Sequence, residues 1–490
     1  MAYFSLLGHP MNLQRCLKFL VVCAITFFLA LVPATFYGTD PATGLPLFTL
    51  TQQRVIAIFV FTALMWILEV IPTWTTSVVA IVAILLTTSN KGLGFLIAKE
   101  NVGALTHYKD IMASFADPVI MLFLGGFVLA FAATKVGLDV QLARVMLKPF
   151  GTNPKTVLLG VLLVIGVFSM FMSNTATAAM MLTFLTPVLA TLPKDGGGRI
   201  ALALAIPIAA NIGGMGTPIG TPPNAIALGA LQEAGYNVTF VGWMIRMVPY
   251  VLIMLVFAWF LLLKLFPFKA KSIELKIEGA PVKTTPFQKY VVWVTFALTI
   301  ILWMGESFFG INSNIVAMIP FAVFSATGIL KARDLESINW AVLWMVAGGF
   351  ALGTALNQTG LASRLIEIIP FSSWNPIVVM LVGGLICYFL SNFISNSAAA
   401  NLVVPILVVV GTAMKGNPLF ENCGGVPAMV IGIAISASLA MCLPVSTPPN
   451  ALAHSTGMIT TKQMATVGII IGVVGFILGY AMLNIHRILI

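Results

Sequence analysis

The chain has 490 residues, 59% of them hydrophobic and only 8% charged. Soluble domains carry about 25% charged residues, so an ordinary water-facing surface is excluded and a multi-span helical membrane protein is implied. The net charge of +10 does not mark a nucleic-acid binder, because Lys264, Lys269, Lys271, Lys276, Lys283 and Lys289 fall in one stretch between hydrophobic segments, the positive-inside pattern of a cytoplasmic loop.

Arg15 and Lys18 precede an apolar stretch from Phe19 to about Phe36. Its length and the many later spans favour an uncleaved first transmembrane helix over a signal peptide. Charge breaks and turn residues then predict about eleven spans, at 17–37, 54–72, 75–90, 117–135, 200–233, 241–266, 288–309, 312–330, 340–361, 424–461 and 465–486, against the roughly 20 apolar residues that a crossing needs. Two further uncharged stretches, 156–193 and 376–413, are long for one helix and are interrupted by Ser, Asn and hydroxyl residues. Each reads as a re-entrant helix–turn–helix, tolerated at membrane depth where protein or water covers the backbone; two full spans per stretch would keep the parity of every later segment and fit the charge pattern equally.

Placing the six-lysine loop inside also places Arg15, Lys18, Lys135, Arg144, Lys148, Lys155, Lys194, Arg199, Lys331, Arg333 and Lys462 inside. The opposite loops hold Asp40, Glu233, Glu306 and mixed pairs such as Arg364 with Glu367. The N-terminus is then cytoplasmic and the C-terminus, with Arg487, outside. The five cysteines (Cys16, Cys23, Cys387, Cys423, Cys442) lack CxxC spacing and read as small membrane hydrophobes.

Three motifs recur in one order. Gly125-Gly126-Phe127 with Gly137-Leu138 returns as Gly348-Gly349-Phe350 with Gly360-Leu361; Ser173-Asn174-Thr175 returns as Ser395-Asn396-Ser397; Thr221-Pro222-Pro223-Asn224 returns as Thr447-Pro448-Pro449-Asn450. From Gly126 to Gly349 is 223 residues, from Ser173 to Ser395 222, and from Thr221 to Thr447 226. An odd number of predicted spans separates the copies, so the halves are inverted repeats, as in many secondary transporters. The chain divides into a first helix with its outer loop (1–50), a first repeat (51–266), a basic loop (267–287) and a second repeat (288–490).

Proline breaks a continuous helix but suits its first position, and Thr caps well. Thr221 and Thr447 therefore start new half-helices, inside stretches 200–233 and 424–461, with a glycine-rich run at 213–220 before the first. Ser173-Asn174-Thr175 and Ser395-Asn396-Ser397 start the second half-helices at the hairpin tips. Helix N-termini attract anions. Four converging starts would bind a dianion without a buried Arg or Lys, while unwound carbonyls suit sodium. Packing kinks and polar helix contacts are the bland alternatives. His454 and Glu69 are weaker candidates, and His9, His107, His454 and His486 are scattered without an HExxH, which argues against an intramembrane enzyme.

On these tips, breaks and the glycine run, the sequence resembles the divalent anion/sodium symporters, whose bacterial dicarboxylate members are called INDY proteins, over nearly the whole chain from the second span onward. The resemblance implies an all-α elevator-type homodimer in the bacterial inner membrane, moving a di- or tricarboxylate anion, foremost a C4 dicarboxylate such as succinate, with Na+ and needing no organic cofactor. It implies substrate binding by Ser173, Asn174, Thr175, Thr221, Pro222, Ser395, Asn396, Ser397, Thr447 and Pro448. It implies sodium binding by Ser169, Ser173, Asn174 and Gly220, and by Ser391, Ile394, Asn396 and Ser446. Ser397 where threonine is usual, Gly216-Thr217-Pro218 before the first break and Leu68 beside the acid depart from the family pattern. A citrate/succinate-type exchanger and a sodium:sulfate symporter fit the same features.

Overall fold

The computed structural model describes residues 4–6, 9–11, 13–40, 44–99, 101–193, 196–273 and 284–485. Lys194, Lys276, Lys283, His486 and Arg487 lie outside the described residues. Apart from a short antiparallel hairpin of Phe4–Leu6 with His9–Met11 and two isolated bridges, the regular structure among the described residues is helical.

Helices of eight residues or more are numbered here in chain order. α1 (Leu13–Leu31) buries only Val22; α2 (Leu50–Leu68) and α3 (Thr73–Thr87) follow. α4 (Pro118–Val136) leads through α5 (Leu138–Leu147) into α6 (Pro154–Phe171) and α7 (Asn174–Thr191). α8 (Gly197–Gly214), α9 (Pro222–Glu233) and α10 (Phe240–Leu265) close the first half.

The second half repeats the plan. α11 (Pro286–Met304) and α12 (Met318–Ala326) precede α13 (Trp340–Gln358) and α14 (Leu361–Ile368). The pair α15 (Pro376–Ser391) and α16 (Asn396–Ala413) follows. α17 (Gly425–Ser438), α18 (Pro448–Ser455) and α19 (Thr461–Ile485) end the described chain.

Local chemistry dictates the matching boundaries. Thr49 and Thr285 each form a capping box, with Gln52 and Gln288, to start α2 and α11, satisfying two orphan donors at each end. Asn153-Pro154 and Asn375-Pro376 start α6 and α15, each Asn oxygen accepting an amide N–H at 3.0 Å. Gly137 (φ 70°) and Gly360 (φ 71°) turn α4 into α5 and α13 into α14 in the left-handed region, which is why the glycine recurs.

The stretch predicted as one hairpin at 156–193 breaks at Met172–Ser173, and that at 376–413 breaks before Asn396. The predicted breaks within 200–233 and 424–461 are also present, before Pro222 and Pro448. Among the described residues, ten helices are long and apolar enough to cross a membrane by length and composition. That set includes α6 and α16 of the two hairpins, whereas the span predicted at 75–90 is the 15-residue α3. The span predicted at 312–330 is interrupted at Ala317, where it lies against Gly125 so closely that a Cβ there would sit 2.1 Å from the Ala317 carbonyl oxygen.

Two ties at opposite helix ends show that α4 and α13 run antiparallel. Lys135, near the end of α4, pairs with Asp334 ahead of α13, and Gln358, the last residue of α13, donates to Asp110 ahead of α4 at 2.7 Å. The centre of the molecule is the pair α8 and α17, most of whose residues are fully buried. The two broken helices are thus the core, and their breaks lie where the hairpin tips arrive.

Candidate functional site

Each hairpin tip is a capped helix start. Ser173 Oγ accepts from Ala176 N at 3.2 Å and Ser395 Oγ from Ala398 N at 3.3 Å. At the breaks, Thr221 and Thr447 are extended (φ −149° and −143°) and a proline opens the next helix. Extended backbone is what a residue before proline favours.

All ten residues expected at a substrate site line one cavity of about 230 Å³: the two tip triplets, Thr221 with Pro222, and Thr447 with Pro448. No Lys, Arg, His, Asp or Glu is among the described residues that line it. Its electrostatics come instead from the starts of α7 and α16, where the amides of Asn174, Thr175, Asn396 and Ser397 have no partner within their helices, and from the dipoles of α9 and α18, which open on Pro-Pro and offer no N–H at their first two positions.

Behind each tip is a matched set of oxygens. Ser169 Oγ lies 2.8 Å from Asn174 Oδ1 and 2.6 Å from the Ala210 carbonyl; Ser391 Oγ lies 2.8 Å from both Asn396 Oδ1 and the Ala437 carbonyl. A hydroxyl has one proton, so each pair holds one oxygen contact more than it can hydrogen-bond. In the first half the same Asn174 atom is also 3.2 Å from Ala210 O and 3.0 Å from Gly220 O. Turning the amide makes it a donor whose two protons are shared among the three oxygens; left as oxygen, it completes an all-oxygen set of the kind hard cations prefer. Of the other residues expected to hold sodium, Ser173, Gly220 and Ser446 line the cavity, whereas Ser391 and Ile394 are buried behind the second tip.

Several polar residues with no role in the sequence reading organise the site. Asn224 Nδ2 donates to the Gly214 and Thr217 carbonyls at 3.0 and 2.7 Å, and Asn450 Nδ2 to Met441 and Leu443 at 2.9 and 3.0 Å. The asparagine of each Thr-Pro-Pro-Asn therefore closes its own unwound loop. Fully buried Asn211 then joins the halves, donating to Thr447 Oγ1 at 3.1 Å and Asn450 Oδ1 at 3.2 Å. The fourth residue of the repeated motif was the signal available for Asn224 and Asn450; nothing in the sequence pattern marks Asn211.

A second wall faces the tips. It consists of Thr73 from α3, Phe123 and Phe127 from α4, and Asn339, Val342 and Met345 at the start of α13. A further cavity of about 230 Å³ shares Phe127, Ser173 and Asn339 and extends the first past Thr134 and Ser337. On another side, Asn401 Nδ2 donates to Met345 O at 3.1 Å, joining α16 to α13. A cavity of about 340 Å³ bordered by Asn401, Glu233 and Lys415 shares none of the residues lining the first.

Two weaker candidates fall outside. His454 Nε2 is 3.1 Å from Thr461 Oγ1, and His454 does not line the cavity. Glu69 is exposed in a left-handed conformation (φ 44°) at the α2–α3 turn.

Residues 63–421 match the family model described as "Citrate transporter". The chain is also 30% identical over 451 residues to a sodium-dependent dicarboxylate transporter, SdcS, of Staphylococcus saprophyticus, covering 84% of this chain and 82% of that one. It belongs to the divalent anion/sodium symporter family. The Staphylococcus aureus USA300 SdcS is likewise 30% identical, covering 86% of this chain and 84% of that one. Among solved structures, the Alcanivorax borkumensis YdaH transporter, whose crystal structure is described as revealing an unusual topology, matches with a TM-score of 0.55 and 14% identity, covering 88% of this chain and 98% of that one. That likeness concerns the fold alone. In this symporter-family chain, then, the family's motifs from both halves surround one uncharged cavity.

Proposed function

We propose that the protein is a sodium-coupled symporter of a di- or tricarboxylate anion, with a C4 dicarboxylate such as succinate as the simplest substrate. The observation that carries this reading is the convergence of four helix starts, two from each half, on a cavity lined by no charged side chain among the described residues. Such a site compensates an anion with preorganised N–H groups and leaves carbonyl and hydroxyl oxygens for sodium. The sodium dependence and dicarboxylate specificity in the relatives' names support the same choice.

Sodium at the Ser169/Asn174/Gly220 and Ser391/Asn396/Ser446 sets would fix the tips and so raise affinity for the anion. Linkage then makes the anion raise sodium affinity by the same factor. The moving unit is α6–α9 with α15–α18, sliding as an elevator against a scaffold of α2–α4 and α11–α13 in a homodimer. The position of the cavity between these two groups supports that division. With the N-terminus in the cytoplasm of a bacterial inner membrane and the C-terminus outside, the extension past Thr134 and Ser337 opens to the cytoplasm.

Proteoliposomes test the reading. A sodium gradient should drive succinate accumulation without internal substrate, and Asn174→Ala or Asn396→Ala should reduce uptake to background in protein that remains folded. Normal sodium-driven uptake by either variant overturns the site; a strict need for internal counter-substrate overturns symport.

A further inference from the structure

The wall opposite the tips is apolar through Phe123, Phe127, Val342 and Met345, with two polar exceptions, Thr73 and Asn339. Each keeps a free polar group on its side chain, Thr73 with its backbone carbonyl held and Asn339 with its side-chain oxygen held. The Thr73 carbonyl accepts from Trp66 Nε1 at 3.1 Å and from Ser77 Oγ at 3.3 Å, and no bond is formed by its hydroxyl among the described residues. Asn339 caps α13, its Oδ1 accepting from Val342 N at 3.3 Å; its Nδ2 is likewise unbonded among the described residues. Thr73 is half-buried within the cavity, whereas Asn339 is exposed at the junction with the second cavity.

We propose that Thr73 and Asn339 read what the anion carries on its carbon chain: Thr73 a 2-hydroxyl, Asn339 a third carboxylate reaching toward the mouth. This rests on the carboxylate-symport reading above. The helix starts take the two terminal carboxylates, so the substituents that distinguish malate or citrate from succinate face the opposite wall. There an apolar surface penalises a polar substituent unless a partner meets it. A site that hydrogen-bonds a substituent discriminates against the analogue lacking it far better than an apolar pocket discriminates by size. Both free groups can donate, which suits a hydroxyl oxygen or a carboxylate. The match to a model described as "Citrate transporter" agrees with a wall able to receive a substituted anion.

The test is the ratio of kcat/KM values in sodium-driven proteoliposome uptake. Thr73→Val, which keeps the shape and removes the hydroxyl, should lower the malate-to-succinate ratio roughly threefold to tenfold, the worth of one neutral hydrogen bond. Asn339→Ser, which keeps a capping oxygen, should lower the citrate-to-succinate ratio roughly tenfold or more, as for a bond to a charged group. If Thr73→Val gives too little uptake to measure, Thr73→Ser must keep the wild-type ratio and Thr73→Ala must lower it. Equal losses for all three anions, or unchanged ratios, overturn the proposal. Absence of sodium-driven carboxylate uptake by the wild-type protein would instead overturn the symport reading beneath it.

Discussion

The two halves share their tips but not the way they are tied together. Ser169–Asn174 with Ala210 and Ser391–Asn396 with Ala437 are the same arrangement twice. One residue further along the core helices the symmetry fails, because Asn211 in α8 stands where α17 has Ser438. Asn211 reaches across to Thr447 and Asn450. Among the described residues, the shorter Ser438 has no bonded partner for its hydroxyl, and Asn224 Oδ1 is likewise unpartnered. Thr447 caps the Asn450 N–H at 3.3 Å, whereas Thr221 makes no side-chain cap. The second break is therefore braced across to the other half, whereas the first is braced within its own half, by Thr217 Oγ1 donating to the Met170 carbonyl and Trp243 Nε1 to the Met215 carbonyl at 3.1 Å. The repeat keeps the Ser–Asn arrangement behind the tip in both copies while the bracing around it diverges.

The largest expected effect sharpens that contrast. Asn224→Ala strands two buried carbonyls, at about 1–3 kcal/mol for each group left unsatisfied. Asn450→Ala strands two carbonyls and also removes an acceptor from Asn211, so it should cost about 1 kcal/mol more. Thermal unfolding of the two purified variants should give the lower midpoint for Asn450→Ala. Equal midpoints would mean that the brace through Asn211 contributes nothing to stability.

The parts of the molecule legible in the sequence are those written in local chemistry. Proline at a helix start, glycine in the left-handed region and Ser-Asn at a tip each dictate backbone geometry within a few residues. The hairpins, the breaks and all ten expected cavity residues could therefore be read from motif and order. Asn211, Asn401 and the wall of Thr73, Phe127 and Asn339 could not, because each acts across more than 50 residues of chain and no periodicity marks a single polar residue within an apolar helix. The interruption at Ala317, by contrast, has a local signal in Pro320, which cannot donate to the Val316 carbonyl. It also lies where that segment crosses Gly125.

The repeated glycine pair offers an intermediate effect. A Cβ on Gly349 would lie 2.2 Å from Asn401 Oδ1, a buried amide bonded to the α13 backbone. On Gly126 it would meet the end of the Ile219 side chain at 3.2 Å, which can shift. Gly349→Ala should therefore cost about 1–3 kcal/mol by overpacking, with Gly126→Ala well below it. Adding Asn401→Ala should recover part of the Gly349→Ala loss. If the double variant is no better than the single, the close approach of α16 to α13 is not what requires that glycine.

The smallest effect concerns the two ties between α4 and α13, one ionic and one neutral. Burial tends to raise the Asp334 carboxyl, but the hydrogen bond from Lys135, the Lys331 N–H and the charges of Lys135 and Arg333 outweigh it and hold the group below its ordinary range. A depressed carboxyl stabilises the fold above its unfolded pKa, and that contribution is lost as pH falls through the folded value. Asp334→Asn at neutral pH should cost about 0.5–1 kcal/mol at low salt, shrinking as added salt screens the pair. At the other end Asp110 accepts from the neutral amide of Gln358, and Asp110→Asn keeps an oxygen to receive it. Its cost should be smaller and insensitive to salt. Unfolding midpoints measured across a salt series separate the two, and the same salt slope for both variants would mean that charge distinguishes neither tie.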